Sequence, residues 1–128
     1  MSLLRSVLTG LRNTRYFWER LGEEYARVLR TGEPASVLVV DLDRFKDVND
    51  RFSHGVGDEV LRTVARLLRE HTRGVDVVAR YGGEEFCLIL VETRLDEGAR
   101  LCDRLRGLIE THDWSGVRPG LSVTVSAG

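Results

Sequence analysis

Two groups of carboxylates in this chain stand where side chains could do chemistry. The first is Arg80-Tyr81-Gly82-Gly83-Glu84-Glu85-Phe86, a glycine pair followed at once by two glutamates and an aromatic, set between apolar runs. The second is Asp41-Leu42-Asp43, which ends another apolar run upstream. The glycine pair predicts the tight turn of a β-hairpin, because both central positions of such a turn favour φ > 0. The glutamates then leave the turn on the second strand, with their charge gathered at one end of a sheet. Either cluster alone reads as solvated surface charge. Brought together, they suit Mg2+, a hard cation that keeps some water and takes one or two carboxylates beside substrate phosphates.

The elements that must position these residues follow from periodicity. From Thr14 to Arg30, Phe17, Leu21, Tyr25, Val28 and Leu29 recur at helical spacing, and Gly32 and Pro34 stop the helix. Ser36 to Val40 predicts a buried strand ending at Asp41. Phe45 to Phe52 predicts a brief helix, Ser53 to Gly57 a loop, and Asp58 to about Thr72 a second long helix. Asp76 to Arg80 and Glu85 to Glu92 form the hairpin arms, Leu95 to Thr111 another helix, and Leu121 to Ser126 a last strand. This order predicts an α+β fold with a ferredoxin-like βαββαβ core, helices packed on one face of an antiparallel sheet. In that topology the first and third strands are central antiparallel neighbours. Asp41 and Glu84 would therefore meet at one sheet end.

Composition narrows the class further. The 128 residues are 42% hydrophobic, enough for one domain with its own core. A net charge of −1 gives no general attraction to DNA or to a membrane surface. No apolar run is long enough to span a bilayer, and the N-terminus shows no signal-peptide core, which predicts a cytoplasmic domain. Met1-Ser2-Leu3 has the composition of an expression remnant. Cys87 and Cys102 lack metal-ligand spacing and are expected as buried, reduced thiols. Of 19 basic residues only Lys46 is a lysine, and its place beside Asp41 and Asp43 predicts a specific role.

Arg80 to Phe86 resembles the signature of the GGDEF family, the bacterial diguanylate cyclases, in its GGEEF form. Leu8-Thr9-Gly10-Leu11-Arg12-Asn13 is similar to the family's opening motif, and the segment from Asp41 to Asp50 to its metal and nucleotide segment. Phe52 to Asp58 and Val123 to Gly128 fit as well, all in the family's order. The resemblance implies the palm-type core of nucleotide cyclases, helices packed around the sheet. It also implies an enzyme that joins two GTP into cyclic di-GMP, each site completed between two subunits. Asp41, Glu84 and the Leu42 carbonyl would bind Mg2+, with Mn2+ as the alternative ion. Glu85 would add a ligand or deprotonate the attacking 3′-hydroxyl, while Gly82 and Gly83 let phosphates approach the backbone. Phe45, Lys46, Asn49 and Asp58 would hold the substrate, Lys46 at the phosphates and Asn49 with Asp58 at guanine. Asp58 also stands where a helix N-cap would. Asp43 is either a second metal ligand or a structural acceptor, ranked below Asp41.

Arg73-Gly74-Val75-Asp76 matches the family's RxxD inhibitory site at the family's spacing from Gly82. Arginine can grip guanine bidentately while the carboxylate takes another edge, so cyclic di-GMP would dock there as a product brake. As a bare pattern RxxD more often marks a helix-end ion pair. The chain departs from the family at Ser6, Thr14 and Ser53, which stand for an aspartate, an arginine and a glycine. Members of the family also continue past Ser-x-Gly into a helix and a last strand with basic residues for the triphosphate. The expectation is therefore a single domain fragment over residues 1–128. It would come from a longer protein with an upstream sensory domain, and bind guanine nucleotide or cyclic di-GMP more readily than it turns over. The alternative function is a GTP or cyclic di-GMP sensing domain without catalysis.

Overall fold

The computed structural model describes residues 6–128, so the remnant expected at 1–3 lies outside the described residues. In chain order the elements are α1 (Thr14–Thr31), β1 (Ser36–Leu42), α2 (Phe45–Arg51), α3 (His54–Glu70), β2 (Val77–Arg80), β3 (Glu85–Leu90), α4 (Leu95–Thr111) and β4 (Val125–Ala127). A single 3-10 turn, Trp114–Gly116, links α4 to the last strand. The sheet order is β2-β3-β1-β4, every neighbour antiparallel. This is the expected βαββαβ core, with α1 placed before it.

The helices do not share one face. Strand side chains alternate, and on one side Leu38, Val40, Val78, Phe86 and Leu88 pack with Val64 and Leu68 of α3 and Leu105 and Ile109 of α4. On the other side Phe17 of α1 packs with Val77, Ala79, Cys87 and Ile89. Residues 86–90 of β3 are consequently buried throughout, while β1 keeps Val37 and Val39 44% and 43% exposed on the α1 side. Helix α1 therefore covers only the β2–β3 half of that face.

Caps explain where the helices begin. The Asn13 side chain accepts from the Tyr16 N–H at the start of α1, and Gly32, at φ 76°, closes its end. Helix α3 starts four residues before the expected Asp58, because the Ser53 hydroxyl accepts from the Val56 N–H at 3.1 Å. Asp58 is thus inside the helix and is not its N-cap. The last ladder is also shorter than the run Leu121 to Ser126. Leu121, Val123 and Val125 alternate inward, but regular pairing to β1 begins at Val125.

Candidate active site

The central pairing fixes where the acidic clusters lie. Asp41 is opposite Glu85 in the β1–β3 register, and the Leu42 N–H donates to the Glu84 carbonyl at 3.1 Å. Asp41, Leu42, Glu84 and Glu85 thus share one end of the sheet, as the topology predicts. Asp41 Oδ1 is buried and has no hydrogen-bond partner among the described residues. A buried carboxylate oxygen without a donor is costly and calls for a cation or a ligand. Asp43 is spent otherwise: its Oδ2 accepts from Thr124 Oγ1 at 2.8 Å and its Oδ1 from Ser126 Oγ at 2.6 Å. Asp43 therefore ties β4 to the β1–α2 connection, which favours the structural acceptor over the metal ligand. Among the described residues no three His, Cys, Asp or Glu side chains cluster as a preformed metal site. A cation held there would need backbone, water or phosphate oxygens to complete its shell, which is how Mg2+ is usually bound.

The hairpin differs from the turn expected at Gly82-Gly83. Neither glycine has a positive φ. The loop closes instead by the N–H groups of Tyr81 and Gly82 both donating to the Glu85 carbonyl, at 2.8 and 3.3 Å. Arg80 Nη2 adds a bond to the Gly83 carbonyl at 2.8 Å. A Cβ on Gly83 would meet nothing within 4 Å, so open space lies beside that backbone. Burial, with a smaller addition from the Glu85 charge, pushes the Cys87 thiol up to about 11, which leaves it protonated and inert at neutral pH.

The site carries a fixer that its sequence hid. Thr14 donates its hydroxyl to the Tyr81 carbonyl at 2.9 Å. Phe17 and Trp18 meet the Tyr81 ring edge to face, with centroids 5.9 and 6.2 Å apart. The Arg80 N–H donates to the Arg12 carbonyl at 2.9 Å. The opening motif and α1 therefore grip the base of the hairpin. Only the departure at Thr14 marked this position in the sequence.

Helix α2 carries three of the expected substrate residues and α3 the fourth. Phe45 and Asn49, one turn apart on α2, both face Gly57 of α3, and Asp58 follows it, exposed. Lys46 is exposed on α2. Arg73 and Asp76 lie at the far end of β2, about 15 Å from the hairpin loop at 3.3 Å per residue. They are paired to each other. Asp76 is buried, and its carboxylate accepts from the Arg73 N–H at 2.9 Å, Arg73 Nε at 3.2 Å, Arg73 Nη2 at 2.9 Å and the Val91 N–H at 3.1 Å. Arg73 Nη2 also donates to the Val91 carbonyl and to Thr93 Oγ1. A cavity of about 290 Å³ beside them is lined by His71, Thr93, Glu97 and Arg104. A larger cavity of about 900 Å³ opens between α1 and β2, away from the carboxylate end. Its Arg20 and Arg27 are already paired with Glu24.

Comparison with known proteins agrees with this geometry. The family described as diguanylate cyclase, GGDEF domain, matches residues 5–128. The response regulator PleD of Caulobacter vibrioides is 41% identical over 123 residues, covering 94% of this chain and 27% of PleD. Among solved structures, the diguanylate cyclase SiaD of Pseudomonas aeruginosa, in complex with its activator SiaC, superposes with a TM-score of 0.89 at 42% identity. That match covers 98% of this chain and 48% of SiaD. The GGDEF domain of DgcB from Caulobacter crescentus, in complex with c-di-GMP, gives 0.92 at 29% identity, over 100% of this chain and 77% of that domain. This chain thus spans about a quarter of PleD and half of SiaD. On sequence and on fold, the chain belongs to the diguanylate cyclase GGDEF domain family.

Proposed function

We propose that this chain is a diguanylate cyclase domain. It joins two GTP molecules into cyclic di-GMP with loss of two pyrophosphates, each site being completed by a second copy. The observation that carries the reading is the buried, donor-less Asp41 Oδ1 at the sheet end where Glu84 and Glu85 arrive. Asp41 and Glu84, with the Leu42 carbonyl, would hold Mg2+ or Mn2+. The ion would neutralise phosphate charge as the α-phosphorus changes its bonding. Glu85 accepts the proton of the attacking 3′-hydroxyl or joins the ligand set. Lys46 meets the phosphates as a point charge, and Gly82 and Gly83 leave them room. Asn49 and Asp58 face the guanine edge, where a carboxylate accepts from N–H groups that adenine lacks.

Arg73 and Asp76 are the proposed product brake, under one condition. To grip a guanine, Arg73 must exchange its two-pronged hold on Asp76 for the base, while Asp76 keeps the Val91 N–H. The half-open sheet face at Val37 and Val39 is proposed as the seat of further chain belonging to the same domain, as the greater length of the DgcB domain supports.

The test supplies GTP with Mg2+ and follows cyclic di-GMP, comparing wild type with Glu84→Gln. Product from wild type, lowered on the order of a hundredfold in the variant, supports catalysis. GTP bound tightly by both without product would leave the sensing reading instead.

A further inference from the structure

Gly57 is buried in the first turns of α3, where α2 crosses it. Its φ is not positive, so the backbone there would accept any residue, and alanine is the better helix former. Space is what forbids a side chain. A Cβ at Gly57 would lie 1.9 Å from Asn49 Oδ1, 3.0 Å from Asn49 Cγ and 3.2 Å from Phe45 Cζ. Gly55, two residues earlier, differs: a Cβ there would meet only Ser53 Oγ, at an ordinary 3.6 Å.

We propose that Gly57 is a positioning residue for nucleotide specificity: its bare Cα is the notch that seats the Asn49 carboxamide beside Asp58. The inference rests on the guanine reading given above. An overlap of this size is not absorbed by small shifts in a packed interface. The cheapest escape is rotation of the Asn49 amide, the free end of its side chain, away from α3. Displacing α2 instead would move Asn49 as well. Either way the amide, with its paired donor and acceptor, leaves its place.

GTP affinity in the presence of Mg2+, measured by calorimetry, tests this on wild type, Gly55→Ala, Gly57→Ala, Asn49→Ala and the Gly57→Ala/Asn49→Ala pair. Expected is a loss of about tenfold or more for Gly57→Ala and for Asn49→Ala. The double variant should be no weaker than either single, and Gly55→Ala should match wild type. Wild-type affinity in Gly57→Ala, with Asn49→Ala weakened, overturns the proposal while leaving the guanine site standing. Losses that simply multiply in the double variant overturn it too, since the two residues would then act separately. Wild-type affinity in Asn49→Ala sinks the guanine reading and the proposal with it. Should Gly57→Ala be too unstable to titrate, thermal melting decides: recovery on adding Asn49→Ala upholds the clash, and no recovery overturns it.

Discussion

Asp76 stands just before β2 and Asp41 near the end of β1, and their surroundings are opposite. Asp76 spends its carboxylate on four hydrogen bonds within the chain, three of them from Arg73. Asp41 keeps a buried oxygen with no donor among the described residues. An unmet buried acceptor costs on the order of 1–3 kcal/mol. The neighbouring Asp43 is met by Thr124 and Ser126. The lesson is a division of labour: Asp76 serves the fold before it serves any ligand, whereas Asp41 is held ready at the fold's expense.

Denaturant unfolding without divalent ions should expose that division most sharply. Asp76→Ala strips Arg73 and the Val91 N–H of their acceptor and is expected to cost about 2–4 kcal/mol. Asp41→Ala removes that unmet acceptor with the rest of the carboxylate and should leave stability unchanged or raise it by up to about 1–3 kcal/mol. Equal losses at the two positions would break the comparison. Adding Mg2+ with GTP should then raise the melting temperature of wild type and not of Asp41→Ala, by linkage. Arg73 is half exposed, so its own truncation is expected to cost only about 1 kcal/mol.

Asp43 sharpens the contrast from within the same motif. Asp43→Ala releases two hydroxyls of the β4 segment and should cost about 1–2 kcal/mol. It should leave Mg2+-dependent nucleotide binding far less altered than Asp41→Ala does. Calorimetry on both variants checks this, and the reverse ranking would make Asp43 the metal ligand.

The strand pairing that brings Asp41 to Glu85 was legible in the sequence because it follows from element order alone. Alternation and helical spacing also placed most of the core. What stayed hidden depends on space and on single bonds across the fold. The start of α3 was misplaced because a serine cap outweighed two glycines that read as loop. Gly82 and Gly83 predict a left-handed turn, but the loop closes on the Glu85 carbonyl without one. Gly57 reads in the sequence as one more loop glycine, and only its contact with Asn49 sets it apart. The exposed half of the α1 face could not be read either, since strand alternation says which residues share a face and not what covers them.

Thr14 gives the smallest effect and the finest test of how the hairpin is held. Its hydroxyl is the one side-chain donor from α1 to the Tyr81 carbonyl among the described hydrogen bonds. Thr14→Val keeps the branched shape at the first position of α1 and deletes that donor, for an expected cost of about 0.5–1.5 kcal/mol. Thr14→Ser keeps the donor and should restore most of the loss. The informative readout is local, because global stability alone would not separate a helix-start role from a hairpin role. Amide exchange at Tyr81 and Gly82, whose N–H groups close the loop onto Glu85, should quicken in Thr14→Val and not in Thr14→Ser. Unchanged exchange in the valine variant would mean that the aromatic packing of Phe17 and Trp18 on Tyr81 suffices to hold the base of the loop. The base of the hairpin would then be held by that packing and by the Arg80 N–H to Arg12 carbonyl bond, and not by the Thr14 hydroxyl.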